Sequence, residues 1–187
     1  MKKTIVKDLM VPLKEYATVS EDSTLHDAIT ALEKAQTDFD KDGEHYHHRA
    51  ILVFNNINKI VGKLSQLDVL KALEPKYLDI TEAGQPGRIA TSGFSASFLK
   101  SMLENHSLLD KPIEEICKKA AILKVKDCMY IPVIGEFVKE TDSLSVAIHQ
   151  LVMGHHQSLL VIDDKNITGI LRLTDVFREI CKTIKAG

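Results

Sequence analysis

The chain has 187 residues, 44% of them hydrophobic, which is enough to bury a core and excludes a disordered or fibrous protein. It carries 24 Lys and Arg residues against 26 Asp and Glu residues, and its net charge of −2 gives no general attraction to nucleic acid. No run approaches the roughly 18 apolar residues of a membrane span, and the first residues do not resemble a signal peptide, so we predict a cytoplasmic protein without membrane insertion.

The start of the chain contains a string that returns beyond its middle. Residues 6–10 read Val-Lys-Asp-Leu-Met, and residues 125–129 read Val-Lys-Asp-Cys-Met. Similarity continues after both strings, which predicts a first repeat at residues 1–73, a connector at 74–124 and a second repeat at 125–187. Because a repeated unit that cannot close its own core stacks against its twin, we expect the functional site at the seam between the repeats.

Each repeat begins with a short predicted strand and an amphipathic helix. The strands cover residues 17–19 and 136–138, and the Asp-Ser pairs at 22–23 and 142–143 are predicted to cap the helices. Apolar residues with helical spacing place one buried stripe on each helix. These are Leu25, Ala28, Ile29 and Leu32 in the first repeat and Leu144, Ala147, Ile148 and Leu151 in the second.

A hairpin and a last helix complete each repeat. Short apolar runs at residues 51–54 and 159–162 predict buried strands, and turns rich in Asn and Asp connect them to strands at 60–64 and 167–171. The last helices begin near Asp68 and Asp175. Their predicted buried residues are Leu67, Leu70 and Leu73, and Val176, Ile180 and Ile184.

Two segments lie outside this pattern. The connector is predicted to be mostly helical, with helices at residues 97–109 and 111–123, the second having a proline in its first turn. The first repeat also has an insertion at about residues 37–47, an acidic loop that contains histidines. The three cysteines are odd in number and widely spaced, so buried reduced thiols are predicted and disulfides are not.

The ordered set of motifs resembles the CBS (cystathionine β-synthase) domain. It comprises the string at 6–10, Asp-Ser-Thr-Leu-His-Asp-Ala at 22–28, the buried strand, and Val-Gly-Lys-Leu-Ser-Gln-Leu-Asp at 61–68. The second repeat ends similarly, with Thr-Gly-Ile-Leu-Arg-Leu-Thr-Asp at 168–175, so the pair resembles a Bateman module. This resemblance implies an α+β fold of two pseudo-symmetric β-α-β-β-α repeats packed face to face.

The resemblance also implies a function. Such modules bind an adenosine-containing ligand, such as AMP, ADP, ATP or S-adenosylmethionine, in clefts between the repeats. They commonly form homodimers and regulate a separate effector protein, which the sequence does not identify. On this basis we expect a regulatory module and not an enzyme, with no required cofactor and no nucleic acid partner.

Ser65 and Asp68 match the family's ribose-binding pattern, in which a hydroxyl residue precedes an aspartate by three positions. A carboxylate suits a vicinal diol because it accepts both hydroxyl donors together. The same spacing also fits a capping box at a helix start, and both roles are compatible. In the second repeat Arg172 replaces the hydroxyl residue before Asp175, where it could bind a phosphate or pair with Asp175 and close the site.

Further site residues follow from the same pattern. Lys63 stands where the family usually has an apolar residue at the base pocket, and Ile170 conforms in the second repeat. Residues before the central strands are expected to hold phosphates, although a solvated strand entrance explains them equally well. The candidates are Arg49 and His48 in the first repeat and Gln157 and Ser158 in the second.

Two alternative functions are compatible with the sequence. Because Lys63 and Arg172 depart from the pattern, the chain could be a dimerisation scaffold without a ligand. A His-rich protein that binds zinc or nickel is the other alternative, if the repeats bring the histidines together. Its candidates are His45, His47, His48, His155 and His156. No acidic or Cys partner lies at a fixed helical spacing from them, so no metal site is predicted.

Overall fold

A computed structural model describes residues 4–40, 49–77 and 95–186 of the chain. The first repeat contains β1 (Val11–Pro12), β2 (Thr18–Ser20), α1 (Leu25–Asp40), β3 (Ala50–Phe54), β4 (Ile60–Ser65) and α2 (Gln66–Ala72). The connector contains α3 (Ala96–Asn105) and α4 (Ile113–Ala121). The second repeat contains α5 (Val125–Cys128), β5 (Phe137–Lys139), α6 (Leu144–Met153), β6 (Ser158–Asp163), β7 (Asn166–Arg172) and α7 (Leu173–Ala186).

The strands form one sheet for each repeat, except that β1 of the first repeat joins the sheet of the second. In the first, β2 is parallel to β3 and β3 is antiparallel to β4. The second has the order β1-β7-β6-β5, with β5 parallel to β6 and β6 antiparallel to β7. Buried Tyr16, Leu52, Leu160 and Ile170 form one apolar cluster that joins the two sheets. The α+β fold and the face-to-face packing expected from the sequence are therefore confirmed.

The leading strings of the two repeats are exchanged. Val6 is fully buried in the core of the second repeat, and Val125 is fully buried in the core of the first. Strand β1 pairs with β7, and the backbones of Lys63 and Tyr130 exchange hydrogen bonds of 2.9 and 2.8 Å. Each sheet is thus extended by a segment of the other repeat. The chain therefore crosses the seam at both leading strings, and the two repeats are intertwined there.

The connector packs on the first repeat. Ala120 and Leu123 contact its core, and the Leu25 amide donates to the Leu123 carbonyl at 2.8 Å. At the end of α2, the Glu74 carboxylate accepts a hydrogen bond from the Leu109 amide at 2.9 Å. The Lys76 ammonium donates to the carbonyl that follows α3, at Ser107, over 2.8 Å. The residues that follow α2, at the start of the connector, are therefore bonded to the segment that follows α3.

Several local predictions were wrong. Helix α1 is capped by Thr24 and Asp27, which exchange side-chain and backbone hydrogen bonds, whereas Asp22 pairs with Lys126 at 2.9 Å. Ser143 precedes α6 without a side-chain cap. The pairing with Lys126 is possible because the second leading string lies against the first repeat, a contact that local sequence does not encode.

The burial predicted for the last helices also needs correction. Leu67 and Leu70 are 60% and 59% exposed, and Ile184 is 73% exposed, because α2 and α7 each bury a narrower stripe than predicted. Val69 and Leu73 form that stripe in α2. Residues 37–40 belong to α1 rather than to the predicted loop, and the rest of that insertion lies outside the described residues. Among the described residues, no helix has the length and apolar character needed to cross a bilayer.

Candidate ligand-binding site

The seam contains a cavity with a volume of about 430 Å³, lined by both repeats. The cavity is bordered by the start of β3, the end of β4, the first turn of α2 and the starts of β6 and α7. From the first repeat it is lined by Tyr16, Arg49, Ala50, Lys63, Ser65, Gln66, Leu67, Asp68 and Lys71. From the second repeat it is lined by Tyr130, Glu136, His155, His156, Gln157, Ser158, Arg172 and Thr174.

Ser65 and Asp68 form a reciprocal capping box at the start of α2. The Ser65 hydroxyl and amide both donate to Asp68 Oδ2, at 2.6 and 2.9 Å, and the Asp68 amide donates to Ser65 Oγ at 3.2 Å. Asp68 Oδ1 lies 3.8 Å from the Lys71 ammonium. The cap fixes the orientation of the Asp68 side chain before any ligand arrives, so the structural role and a binding role are compatible.

Lys63 forms an ion pair with Glu136 across the seam. Glu136 is only 1% exposed, and its carboxylate also accepts the Tyr130 hydroxyl at 2.5 Å and the Val133 amide at 3.3 Å. Burial alone would raise the pKa of Glu136, but the hydrogen bonds from Lys63 and Tyr130 outweigh it and hold the pKa below its usual value. Burial, together with the bond to Glu136, raises the pKa of Tyr130 to about 12. The site thus contains a charged pair at the position where the family usually has an apolar residue.

The residues that directly precede β3 and β6, Arg49 and Gln157, lie at this cavity in equivalent positions of the two repeats. The Gln66 amide donates to the Arg49 carbonyl at 3.1 Å, and the Leu173 amide donates to the Gln157 carbonyl at 3.0 Å. The register also pairs Ser158 with Arg172. The structure therefore brings Arg49 and its counterparts from the second repeat, Gln157 and Ser158, to one cavity.

Arg172 and Asp175 are paired in the second repeat. The Arg172 guanidinium donates to Asp175 Oδ2 at 2.5 Å and to Oδ1 at 2.8 Å, and Arg178 lies 3.4 Å from Oδ1. Arg172 also lines the main cavity, while Asp175 lines a smaller one of about 290 Å³ near the first leading string. Of the two roles considered for Arg172, the structure shows the pairing with Asp175, and both carboxylate oxygens accept hydrogen bonds.

One further candidate, Ile170, does not lie in the cavity as expected. Ile170 is fully buried between the sheets and lines neither of the two cavities described here. It packs with Leu160 and Tyr16 in the apolar cluster between the sheets, and β1 pairs with its strand at Val11. His48, like His45 and His47, lies outside the described residues. His155 and His156 line the cavity, and the described part of the chain contains no group of three His, Cys, Asp or Glu residues arranged for a metal ion.

Tyr130 and Glu136 are the site residues that sequence reasoning missed. Glu136 was assigned to a strand start, although it stands as a single carboxylate in the apolar segment at residues 131–138. A lone acid in such a segment and a lone base at Lys63 are a signal for a buried pair. That signal becomes readable only if the second leading segment is known to lie against β4.

Comparisons with known proteins agree with this architecture. The model of the CBS domain family matches residues 6–75 and 125–182. Among solved structures, a CBS domain-containing protein of unknown function from Bacillus anthracis is 19% identical, with a TM-score of 0.61 over 96% of this chain and 94% of that chain. CBSX2 from Arabidopsis thaliana is 18% identical, with a TM-score of 0.60 over 98% and 99% of the two chains.

A second structure, of CBSX2 in complex with AMP, is 19% identical, with a TM-score of 0.56 over 96% of this chain and 97% of that chain. Curated protein sequences give no significant match. The family match covers more than half of the chain and falls on both repeats, and the solved structures share the fold. This chain belongs to the CBS domain family and is a tandem CBS pair, or Bateman module.

Proposed function

We propose that this CBS pair is a regulatory module that binds an adenosine-containing ligand in the Asp68 cavity and signals to a separate protein. The observation that carries the proposal is the cavity of about 430 Å³, which is lined by Ser65 and Asp68 of the first repeat and by Gln157 and Ser158 of the second. The AMP complex of a structural neighbour supports the choice of ligand class. AMP, ADP, ATP and S-adenosylmethionine are the candidates, and no further cofactor is required.

The aspartates of the two repeats have different hydrogen-bond partners, which supports ribose binding at Asp68 rather than at Asp175. Asp68 is oriented by the hydroxyl and the amide of Ser65, with the Lys71 ammonium 3.8 Å away, and a ribose diol can supplement these contacts. Asp175 is bound by two N–H groups of Arg172, a bidentate pair that a neutral diol does not displace readily. We therefore expect the ribose at Asp68, with Arg49 near the phosphates.

A signal can leave this site through α2. Its first turn carries Asp68, and just beyond its last turn the connector begins with Glu74 and Lys76, which bind the segment that follows α3. A ligand that binds one position of α2 more tightly than another shifts the population of that position. The effector protein would then respond to the position of the connector. A cytoplasmic location stays a prediction of the sequence analysis.

Calorimetric titration of the four ligands tests this proposal. Asp68→Ala should weaken binding about thirtyfold, since a hydrogen bond to a charged group contributes roughly 2 kcal/mol. Asp27→Ala is the matched control, because Asp27 also closes a capping box but does not line the cavity. The proposal fails if none of the four ligands binds wild type below millimolar concentration, or if both variants lose affinity equally.

A scaffold without a ligand is the second candidate. Leu70 and Phe177 occupy equivalent positions on α2 and α7 and are each 59% exposed, so both repeats present an apolar residue on an outer face. This arrangement supports a homodimer, with or without a ligand. Light scattering on wild type and on a variant carrying Leu70→Asp and Phe177→Asp tests the dimer, and thermal stability unmoved by every ligand would favour the scaffold.

A further inference from the structure

The base end of the cavity is polar, which bears on the choice of purine. Strand β4 directs Lys63 and Ser65 to the same face, because side chains two residues apart share a face, about 7 Å apart along the strand. Asp68 is fixed by Ser65, so a nucleoside with its ribose there can extend its base along β4 toward Lys63. Lys63 is therefore the polar group on β4 that a base would meet.

Lys63 is held in place by second-repeat residues. Its ammonium pairs with Glu136 and lies 5.1 Å from the centre of the Tyr130 ring, and its side chain is 15% exposed. Glu136 accepts hydrogen bonds from Lys63, Tyr130 and Val133 and is shielded from solvent. An ammonium has three N–H donors, and the described contacts assign one of them to Glu136. At this end the cavity therefore presents a fixed donor.

A fixed donor discriminates between purines by their 6-substituent. Guanine and hypoxanthine carry a carbonyl oxygen there, beside the N7 acceptor, and lysine contacts to this edge are common in base recognition. Adenine carries an amino group at the same position, which is itself a donor and cannot accept from the ammonium. Adenine can still bind through its ring nitrogens, so Lys63 reduces the advantage of adenine without excluding it.

We propose that Lys63, positioned by Glu136 and Tyr130, makes this cleft accept 6-oxopurine nucleotides, those of guanine and hypoxanthine, in addition to adenine nucleotides. The proposal rests on the nucleotide site proposed above and adds the selectivity of its base end. Lys63 is the specificity-determining residue, and Glu136 is a positioning residue that acts through it.

Calorimetry with AMP, IMP and GMP on the full chain tests the proposal. AMP and IMP differ at the purine 6-position, and wild type should bind IMP and GMP with affinities within about thirtyfold of that for AMP. The variant Lys63→Met with Glu136→Gln removes the donor without leaving an unpaired buried carboxylate, and it should weaken IMP and GMP about tenfold relative to AMP. The matched control Lys71→Met removes one positive charge from the same cavity and should leave the ratio unchanged.

The outcomes separate this proposal from the proposed function. If AMP binds wild type while IMP and GMP bind more than about thirtyfold weaker, the base-end proposal is overturned and the adenosine site stands. An unchanged ratio in the double variant also overturns it. If none of AMP, IMP and GMP binds wild type, the base-end proposal falls, and the titrations with ADP, ATP and S-adenosylmethionine decide the proposed function separately. Because AMP and IMP are compared on wild type, the test does not depend on the variant folding.

Discussion

Replacing Glu136 by alanine should destabilise the fold more than any single exposed carboxylate does. The carboxylate is 1% exposed and serves Lys63, Tyr130 and the Val133 amide at once. Removing one partner of a buried ion pair typically costs 3–5 kcal/mol, because the other charge is left without compensation. The Lys63 side chain is 15% exposed at a cavity wall and can be hydrated there, so we expect about 3 kcal/mol, at the lower end of that range.

Urea unfolding followed by far-UV circular dichroism at pH 7 measures this loss. Glu104→Ala is the control, since Glu104 pairs with Lys100 at 3.9 Å on an exposed helix face and should leave the free energy of unfolding near wild type. Adding Lys63→Met to Glu136→Ala should recover part of the loss. A loss below about 1 kcal/mol, or no recovery, would refute the buried-pair reasoning.

The same variant has a predicted pH dependence. Folding lowers the pKa of Glu136 from its ordinary value of 4.5, so the ionised carboxylate stabilises the fold above that pH. This stabilisation is lost as the pH falls through the lowered pKa of the folded state. The difference between wild type and Glu136→Ala should therefore be constant between pH 6 and 8, roughly, and shrink below about pH 4. A difference that grows on acidification would contradict the sign of the shift.

Two further predictions concern the exchanged segments and the thiols. Gly169→Ala would place a Cβ 2.5 Å from the carbonyl oxygen of Val11, and it should destabilise the fold by about 1–3 kcal/mol in urea unfolding. Gly135→Ala, with open space around it, should not, and equal effects would argue against the β1–β7 contact. Burial raises the pKa of Cys128 to about 11, so at pH 8 Ellman's reagent should modify the exposed Cys117 first and Cys128 slowly. Rapid labelling of Cys128 in folded protein would contradict its burial.

Local sequence predicted the elements of each repeat well, because their signals are local. The apolar runs at residues 51–54 and 159–162 form β3 and β6, and the turns after them close the hairpins. The predicted helix caps are less accurate, because Asp22 pairs with Lys126, 104 positions away in the chain, instead of capping α1. A short motif shows which residues can cap a helix but not which distant charge competes for them.

The candidate site was predicted in part for the same reason. Ser65 with Asp68 is a local pattern, and its capping geometry was foreseen. The partner of Lys63 was not, because Glu136 is contributed by the other repeat through the exchanged leading segment. Ile170 packs between the two sheets with Leu52 of the first repeat, a contact that the local sequence does not indicate. The errors thus cluster where the two repeats cross, which is where the cavity lies.

A crystal of the full chain soaked with AMP tests the central claim most directly. We predict one nucleotide in the cavity at the seam, with the ribose diol bound by Asp68 and the base directed along β4 toward Lys63. We also predict that the Arg172–Asp175 pair stays intact in that crystal. A nucleotide whose ribose is bound by Asp175, or one that binds outside the seam, would contradict it.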